Sequence, residues 1–329
     1  MKATIIIRKK PQGENSIEEL ACRLAKDLDV SIVPVPYHST TVINLFKNIH
    51  FVRKLRSPVF HVISPSEAYL LPFLRGKRII TYHDLGTVFS ARNRLYRFMR
   101  FLLHIFPSKY FADQITFVSE QTKREYLAAT KYKRLERLHV IYNSYDERLI
   151  PVENKTQNEK FTVLQIGTAK RKNLMSTIHA CVGLPIRLNI IGKLTDEYLG
   201  ALSRYNIDYK NSFDISYEKI VECYNQCDIV CFPSFYEGFG IPLIEANVMQ
   251  KPIIAGDIPV LHEIGDDAAL FVNPKSVEEI RDAIISLMTD SALREKYIQA
   301  GITNAKKYGH RYIANEYYQI YSKSLNTSL

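Results

Sequence analysis

Long apolar runs are absent from this chain of 329 residues. No stretch reaches the length of about 18 apolar residues that a membrane-spanning helix needs, which excludes such a helix. The opening MKATIIIRKK holds too short an apolar segment for a secretory signal, so we interpret it as a first strand. Cysteine is also scarce. Five unevenly placed cysteines are too few for a disulfide framework and indicate a reducing cytoplasm.

The sequence also lacks the signatures of several other protein classes. Cys223, Cys227 and Cys231 recur every four residues, but YEKIVECYNQC predicts a helix and DIVCFPS the strand after it, so the thiols would not share one face. No strand is followed by Gly-x-Gly-x-x-Gly, which argues against a dinucleotide oxidoreductase. No helix-turn-helix, zinc-ligand or RNA-recognition motif is apparent, which argues against a nucleic-acid-binding protein.

The net charge of +10 is concentrated in the first half of the chain. Residues 1–150 carry 25 Lys and Arg against 13 Asp and Glu, a net charge of +12, whereas residues 151–329 carry 19 against 21, a net charge of −2. This asymmetry indicates an anionic partner for the first half: nucleic acid, a phosphate-bearing substrate or a membrane surface. The plain alternative is a solvated basic surface.

Short β-branched runs alternate with helical patterns along the whole chain. Several runs are continuously apolar, as expected for parallel strands covered on both faces, so the sequence predicts an α/β protein with two doubly wound domains. The predicted strands are ATIIIR, VSIVPV, VFHVIS, KRIITYHD, QITFVS and LHVIYN in the first half, and FTVLQIG, IRLNIIG, DIVCFPS and KPIIAGD in the second.

A polar segment over residues 146–160, DERLIPVENKTQNEK, predicts the boundary between the two domains. We therefore expect a first domain over residues 1–150 and a second over residues 151–312. The last segment, YIANEYYQIYSKSL, predicts a helix at about residues 313–329 that packs back on the first domain.

The stretch FPSFYEGFGIPLIEA, residues 232–246, predicts a strand, a glycine-containing loop and a helix. Ligands of open α/β sheets bind at the carboxyl ends of strands. Gly238 and Gly240 let the backbone approach a ligand, and the helix N-terminus favours phosphate. Glu237 in the loop and Glu245 in the early helix can accept hydrogen bonds from sugar hydroxyls. The alternative is that Glu237 caps the helix and Glu245 is a solvated surface residue.

A second strand-loop-helix unit, LQIGTAKRKNL, covers residues 164–174. Its strand ends at Gly167, and Lys170, Arg171 and Lys172 follow. Basic side chains at such a loop are natural counter-charges for a diphosphate. The alternative is a solvated basic loop.

These stretches resemble the GT-B glycosyltransferases, specifically glycosyltransferase family 4. EGFGIPLIE matches the family's Glu-x7-Glu signature, and IGTAKRKN is similar to its diphosphate loop. The resemblance continues, in the expected order from about residue 60 to 310, through IITYHDLGTV, FVSEQTKREYL, VIYNSYD and AGDIPVLHEIGDDAALFVNP.

The resemblance implies two Rossmann-like domains facing across a cleft, with a nucleotide-sugar donor on the C-terminal domain and the acceptor on the N-terminal one. It implies catalytic roles for His83, Glu237 and Lys172, and places Gly13 and Asp84 on the acceptor side. Glu237 would contact the donor sugar, Glu245 the ribose, and Lys172 with Arg171 the departing diphosphate. The implied donor-binding residues are Gly167, Arg171, Lys172, Glu237, Gly238, Phe239, Gly240, Ile241 and Glu245.

The reaction implied is retaining glycosyl transfer without a cofactor or a required metal, in the synthesis of a cell-surface polysaccharide or lipid-linked glycan. A transfer that retains the configuration of the sugar can proceed through a short-lived oxocarbenium ion on one face or through a covalent enzyme intermediate. No carboxylate is an obvious dedicated nucleophile, which favours the first route. The single Gly13 replaces the family's glycine pair, and this puts the acceptor-side loop in doubt. An inactive glycosyltransferase-like binding protein is the remaining alternative.

RLYRFMRFLLHIF, residues 94–106, predicts a basic amphipathic helix. Arg94, Arg97, Arg100 and His104 gather on one side, with Phe101 among them, and six apolar residues occupy the other. Such a helix can lie on an anionic membrane surface, which would make this cytoplasmic protein peripheral on the inner face of the membrane. The alternative is a surface helix with its apolar side in the core.

Overall fold

The structure, a computed structural model, describes residues 3–9, 16–86, 93–152 and 159–326. The chain divides into two compact units. Unit 1 comprises Met1–Ser144 and Arg311–Leu329, and unit 2 comprises Tyr145–His310. The division thus falls earlier than the polar segment indicated. The Tyr145 amide donates a hydrogen bond to the Tyr308 carbonyl oxygen (3.4 Å), which ties the beginning of unit 2 to its end.

Unit 1 contains a parallel six-stranded sheet in the order β2-β1-β3-β4-β5-β6. The strand order reverses between β1 and β3, as in other doubly wound sheets. The strands are β1 Ala3–Ile7, β2 Ser31–Pro34, β3 Val59–Val62, β4 Lys77–Tyr82, β5 Gln114–Phe117 and β6 Leu138–Val140. The helices are α1 Ser16–Leu28, α2 Val42–Val52, α3 Arg94–His104, α4 Phe106–Phe111 and α5 Glu120–Thr130, with 3-10 helices at Pro65–Phe73 and Leu135–Arg137.

Unit 2 contains a second parallel six-stranded sheet, in the order β12-β11-β10-β7-β8-β9. Its order reverses between β7 and β10. The strands are β7 Phe161–Ile166, β8 Ile186–Ile191, β9 Tyr209–Ser212, β10 Ile229–Phe232, β11 Ile253–Gly256 and β12 Leu270–Val272. The helices are α6 Leu174–Ala180, α7 Asp196–Arg204, α8 Tyr217–Gln226, α9 Ile241–Val248, α10 Pro259–Gly265, α11 Val277–Thr289 and α12 Ser291–Ala305, with 3-10 helices at Lys170–Lys172 and Lys306–Tyr308.

The last helix, α13 His310–Asn326, packs on the sheet of unit 1. Its Ile313, Tyr317 and Tyr321 belong to the same buried cluster as residues of β1, β3 and β4. The hydroxyl group of Tyr321 lies 2.6 Å from Nδ1 of His61, and Nε2 of His61 lies 2.7 Å from the hydroxyl of Thr81. A fully buried polar network therefore joins α13 to β3 and β4.

The predicted α/β class with two doubly wound domains is confirmed. All ten predicted strands are present, and two further strands, β9 and β12, were missed. Both lie at an edge of their sheet. The sequence of β9, YKNS, contains no apolar run, and β12 has only three residues, so neither shows the pattern of a covered parallel strand.

Candidate functional site

Two loops meet at the carboxyl ends of β7 and β10, where the strand order of unit 2 reverses. Gly167 directly follows β7 with a positive φ of 89°, and its amide donates a hydrogen bond to the Ile191 carbonyl oxygen (2.8 Å). A Cβ atom at Gly167 would stand 3.0 Å from Cγ of Lys172. Glycine is therefore required both for the turn and for the close approach of the Lys172 side chain.

The basic loop after β7 is pinned to the loop after β10. The Phe235 amide donates a hydrogen bond to the Arg171 carbonyl oxygen (2.8 Å). The side-chain amide of Asn173, a buried residue, donates to the carbonyl oxygens of Pro233 (3.0 Å) and Pro274 (2.6 Å). Because Asn173 itself adopts a left-handed backbone conformation, it turns the chain directly into α6.

Two of the three basic side chains of this loop converge on Glu237. Nη1 of Arg171 lies 2.9 Å from Oε2 of Glu237, and Nζ of Lys172 lies 2.8 Å from Oε1. Glu237 is only 6% exposed, whereas Lys170 points into solvent. The alternative of a solvated basic loop is therefore wrong for Lys172, whose side chain is 14% exposed, whereas Arg171 pairs with Glu237 but stays exposed.

Burial lowers the pKa of Lys172, and the carboxylates of Glu237 and, more weakly, Glu245 partly offset this effect. Its Nζ atom also lies 4.5 Å from the centre of the Phe232 ring. An ammonium group in such a poorly solvated position interacts more strongly with a neighbouring anion than it would in water.

Helix α9 begins at the end of the glycine-containing loop. Its N-cap is Gly240, which has a positive φ of 109° and makes no side-chain capping bond; a Cβ atom there would stand 2.5 Å from Cδ2 of Leu261. Glu237 therefore does not cap the helix. The ring of Phe239 is buried edge-on against Tyr308, so this residue could offer a ligand its backbone but not its ring.

Glu245 lies within α9 and is 8% exposed, so the alternative of a solvated surface residue is wrong. Its two carboxylate oxygens accept hydrogen bonds from two tyrosines of α8: Tyr217 Oη to Oε1 (3.1 Å) and Tyr224 Oη to Oε2 (2.8 Å). These tyrosines were not among the predicted site residues. Their spacing of two helical turns was the one sequence signal that could have placed them on one face of a helix.

Two of the residues predicted in unit 1, His83 and Asp84, lie at the carboxyl edge of its sheet. His83 follows β4, and its Nε2 atom lies 2.9 Å from the Ile63 carbonyl oxygen, so Nε2 carries the proton and donates. Burial lowers the pKa of His83 to about 4, which leaves the ring neutral at pH 7. Asp84 comes next along the chain, and Gly13 falls outside the described residues.

A buried carboxyl group that the sequence analysis did not single out lies at the same edge. Glu67 accepts hydrogen bonds from the hydroxyls of Ser39 (3.1 Å) and Ser66. Burial raises its pKa to about 7, although both hydroxyls oppose the shift. Within the described parts of the chain, no three His, Cys, Asp or Glu side chains are placed to hold a metal ion.

Comparison with known proteins agrees with the architecture of two parallel sheets. The structure is similar to sucrose-phosphate synthase from Thermosynechococcus elongatus, with a TM-score of 0.84 and 17% sequence identity over 99% of each chain. The fold is thus that of the GT-B glycosyltransferases.

Sequence comparison identifies the family. Residues 13–149 match the model of glycosyltransferase family 4, and residues 146–304 match that of glycosyl transferases group 1. The chain belongs to this family of glycosyltransferases. It is 28% identical over 285 residues to the O-antigen chain mannosyltransferase RfbU of Salmonella typhimurium, covering 75% of this chain and 78% of that protein. It is 26% identical over 270 residues to the O-antigen chain mannosyltransferase B of Escherichia coli, covering 73% and 68%.

Proposed function

We propose that the protein transfers a sugar, with retention of configuration, from a nucleotide-diphosphate donor to a glycan or lipid-linked glycan acceptor. The observation that carries this proposal is the convergence of Arg171 and Lys172 on Glu237 beside the N-terminus of α9. Two cations and a helix N-terminus can stabilise the charge of a leaving diphosphate without a metal ion. Glu237 would bind the donor sugar, and Glu245 the ribose.

The pairing of Glu237 supports the route through a short-lived oxocarbenium ion. Each of its oxygens already faces a cation, at 2.9 and 2.8 Å. A carboxylate whose charge is shared in this way is a poor nucleophile, so a covalent glycosyl-enzyme at Glu237 is disfavoured. His83, neutral at pH 7 because of its lowered pKa, would act as a hydrogen-bonding group in the acceptor-side site rather than as a cation.

The named relatives support a role in the synthesis of a bacterial cell-surface polysaccharide, because two of them are O-antigen chain mannosyltransferases. A mannosyl group is therefore the first to assay. Membership of a glycosyltransferase family disfavours the alternative of a nucleic-acid-binding α/β protein. We further propose that the activity is cytoplasmic.

A thermal-shift screen against uridine, guanosine, thymidine and adenosine diphosphates, in the presence of a chelator, tests the donor site. One base should raise the melting temperature increasingly with its concentration, because it binds the folded state. The shift should disappear in Lys172→Ala and Glu245→Ala but persist in Lys170→Ala, a change in the solvent-exposed lysine of the same loop. No shift with any base would overturn the proposal, and an inverted anomer in the product would overturn retention.

We also propose that α3 lies on an anionic membrane surface. No helix of the described chain is long and apolar enough to span a membrane. The apolar side of α3 nevertheless faces outward: Leu95 is 66% exposed and Phe98 58%, with Met99 and Leu102 also exposed. The side that packs on the core carries Phe101 and Leu103 instead, so most of the apolar side is not in the core.

The charge around α3 favours anionic lipid as its partner. Residues 85–112 contain five Lys and Arg and no Asp or Glu. We expect Phe98→Ser to weaken sedimentation with vesicles that contain phosphatidylglycerol, and high salt to weaken it further. Phe213→Ser is the matched control, because Phe213 is 56% exposed in the acidic unit. Equal binding of both variants and the parent protein would contradict membrane contact through α3.

A further inference from the structure

A cavity of about 300 Å³ lies at the amino edge of the unit 1 sheet. The chain passes it twice, just before β5 and just before β6, so the cavity is at the opposite edge of the sheet from His83 and Asp84. Four of its six lining residues are cations and two are tyrosines: Lys109, Tyr110, Lys131, Tyr132, Lys133 and Arg134. Such a lining favours an anionic ligand.

No carboxylate neutralises the cations that come from the loop before β6. Within the described ranges of the chain, Lys131, Lys133 and Arg134 form no ion pair, and all three are exposed. The fourth cation, Lys109, donates a hydrogen bond from Nζ to the carbonyl oxygen of Thr130 (2.8 Å), the last residue of α5. This bond places a positive charge at a helix C-terminus, whose partial negative charge would otherwise repel an anion.

Lys131 occupies a backbone position that suits another residue type. It ends α5 in the left-handed conformation, with φ of 50° and ψ of 40°. Glycine is common at such a position because it adopts this conformation without strain. Five of the seven non-glycine residues with positive φ in the described chain are Asp or Asn, which tolerate it, and Lys131 is the one cation among the seven. A lysine here therefore adds a charge to the cavity at the expense of a relaxed turn.

Tyr132 anchors the loop that carries these charges. It is 7% exposed and belongs to the buried cluster of unit 1, where its ring centre lies 6.1 Å from that of Tyr126. Its neighbours along the chain, Lys131 and Lys133, are exposed. The buried ring therefore holds a loop that presents a cation on each side of it, and a site fixed in this way loses less entropy when it binds a ligand.

Apolar side chains accompany the cations. Tyr110, which lines the cavity, is 58% exposed, and so is Leu135, which follows the lining Arg134. Phe106 is 40% exposed, and its ring centre lies 4.6 Å from that of Tyr110. Because only Ile105 separates α3 from α4, Phe106 and Tyr110 continue along the chain the series of exposed apolar residues of α3. An anion with an apolar part fits this combination better than a free anion does.

We propose that this cavity binds the phosphate group of an anionic phospholipid, with the acyl chains against the apolar side chains beside it. The proposal rests on the proposed membrane contact of α3 and deepens it: α3 would supply apolar area, and the cavity would select the headgroup. Phosphatidylglycerol presents a phosphate with an uncompensated negative charge. The quaternary ammonium of phosphatidylcholine would meet the cations of the cavity, so this lipid should be rejected.

The test uses dihexanoyl phosphatidylglycerol below its micelle concentration, so that binding does not require a membrane surface. Calorimetry gives dissociation constants for the parent, Lys131→Gly and the double variant Lys133→Ala/Arg134→Ala. The parent should bind one lipid saturably and should bind dihexanoyl phosphatidylcholine more weakly. Lys131→Gly should weaken binding about tenfold, the value of one hydrogen bond to a charged group. Because glycine suits the left-handed turn, this variant should keep its urea midpoint, so the loss cannot come from unfolding.

Two controls separate the cavity from general charge and from α3. Lys26→Ala/Lys54→Ala removes two charges from exposed lysines elsewhere in unit 1 and should leave the dissociation constant unchanged. Phe98→Ser should weaken sedimentation with vesicles but not the binding of the short-chain lipid. All cavity variants should keep the thermal shift with the nucleoside diphosphate, so failure of the donor site would be seen separately.

Three results would overturn the proposal. Equal affinity for the two short-chain lipids, or equal losses in the control and cavity double variants, would show that the cavity does not select a headgroup. Equally tight binding of glycerol phosphate would identify a soluble phosphate ester, rather than a lipid, as the ligand. Tighter binding of a single-stranded oligonucleotide, lost in the same cavity variants, would assign the cavity to nucleic acid.

Discussion

The two units share one architecture but carry opposite net charges. Unit 1 has 26 Lys and Arg against 12 Asp and Glu, a net charge of +14, and unit 2 has 18 against 22, a net charge of −4. The difference in net charge between the units is larger than that between the predicted halves, +12 and −2. The reason is that residues 311–329 belong to unit 1, whereas residues 145–150 belong to unit 2. The basic character therefore belongs to a folded unit and is not merely a property of the first half of the sequence.

The units also differ in how they bury ionisable groups. In unit 1 burial lowers the pKa of His61 to about 3 and of His83 and His104 to about 4, and raises that of Glu67 to about 7. In unit 2 the buried groups Glu237 and Lys172 are paired with each other. Burial thus shifts the pKa of these four groups of unit 1 towards their neutral forms, whereas in unit 2 Lys172 lies against a carboxylate that partly offsets the effect of burial.

The largest expected effect of this difference is the sensitivity of unit 1 to acid. The three histidines have a lower pKa in the folded chain than in the unfolded chain. As the pH falls from 6.5 to 4, these histidines therefore become protonated in the unfolded chain before they do so in the folded chain. Each histidine then lowers the free energy of unfolding by about 3 kcal/mol. Glu67 acts in the opposite direction, because its raised pKa stabilises the fold below pH 4.5 and loses that effect as the pH rises through 7. The destabilisation by the three histidines should therefore exceed the stabilisation by Glu67 as the pH falls.

Hydrogen exchange followed by mass spectrometry can locate this loss. Exchange is compared at pH 7 and pH 4.5, with rates corrected for intrinsic exchange. The amides of β1, β3 and β4 should lose more protection at pH 4.5 than the amides of β7 and β10. A greater loss of protection in unit 2 would contradict the prediction that unit 1 is the more acid-sensitive unit.

The next largest effect should come from removing one cation of the site in unit 2. Lys172→Ala should lower kcat by about 10²–10³-fold, as the loss of one donor to a developing charge does in other enzymes. Lys170→Ala, in the same basic loop but exposed, should stay within about threefold of the parent. Initial rates with the donor identified by thermal shift provide the measurement. Similar losses in both variants would mean that only the summed charge of the loop matters.

A smaller effect is expected from Gly167→Ala. The positive φ of 89° costs about 1 kcal/mol for alanine, and the new Cβ atom would push against the Lys172 side chain at 3.0 Å. Gly183→Ala is the matched control, since Gly183 has a φ of 72° and no neighbour that a Cβ atom would meet within 4 Å. Urea unfolding should show a loss of about 1 kcal/mol in Gly183→Ala and a larger loss in Gly167→Ala, while activity should fall about tenfold only in Gly167→Ala. Unchanged activity there would show that Lys172 does not depend on this close approach.

The smallest effect concerns the network that joins α13 to the sheet of unit 1. Tyr321→Phe removes the 2.6 Å contact with Nδ1 of His61 and leaves that buried nitrogen without its partner, which should cost about 1–2 kcal/mol of unfolding free energy. Tyr318→Phe changes an exposed tyrosine of the same helix and should cost nothing measurable. Equal denaturation midpoints for the two variants would show that apolar packing alone holds α13.

The α/β class, ten of the twelve strands in the described part of the chain, and the placement of Glu237 in a loop and Glu245 in a helix could all be predicted from the sequence alone. These features follow from local periodicity and from glycine at turns, which depend only on neighbouring residues. The same local signals left two alternatives open for α3: a helical wheel shows that its sides differ, but only the packed structure decides which side faces the core.

The contacts between residues far apart in sequence could be seen only in the folded structure. The strand order brings residues 167–173 beside residues 233–240, so that Arg171 and Lys172 meet Glu237. The orientation of α8 against α9 brings Tyr217 and Tyr224 to Glu245. Such pairings depend on which strands become neighbours and how helices pack over them. No local pattern encodes them, because the residues concerned meet only after the sheet has formed.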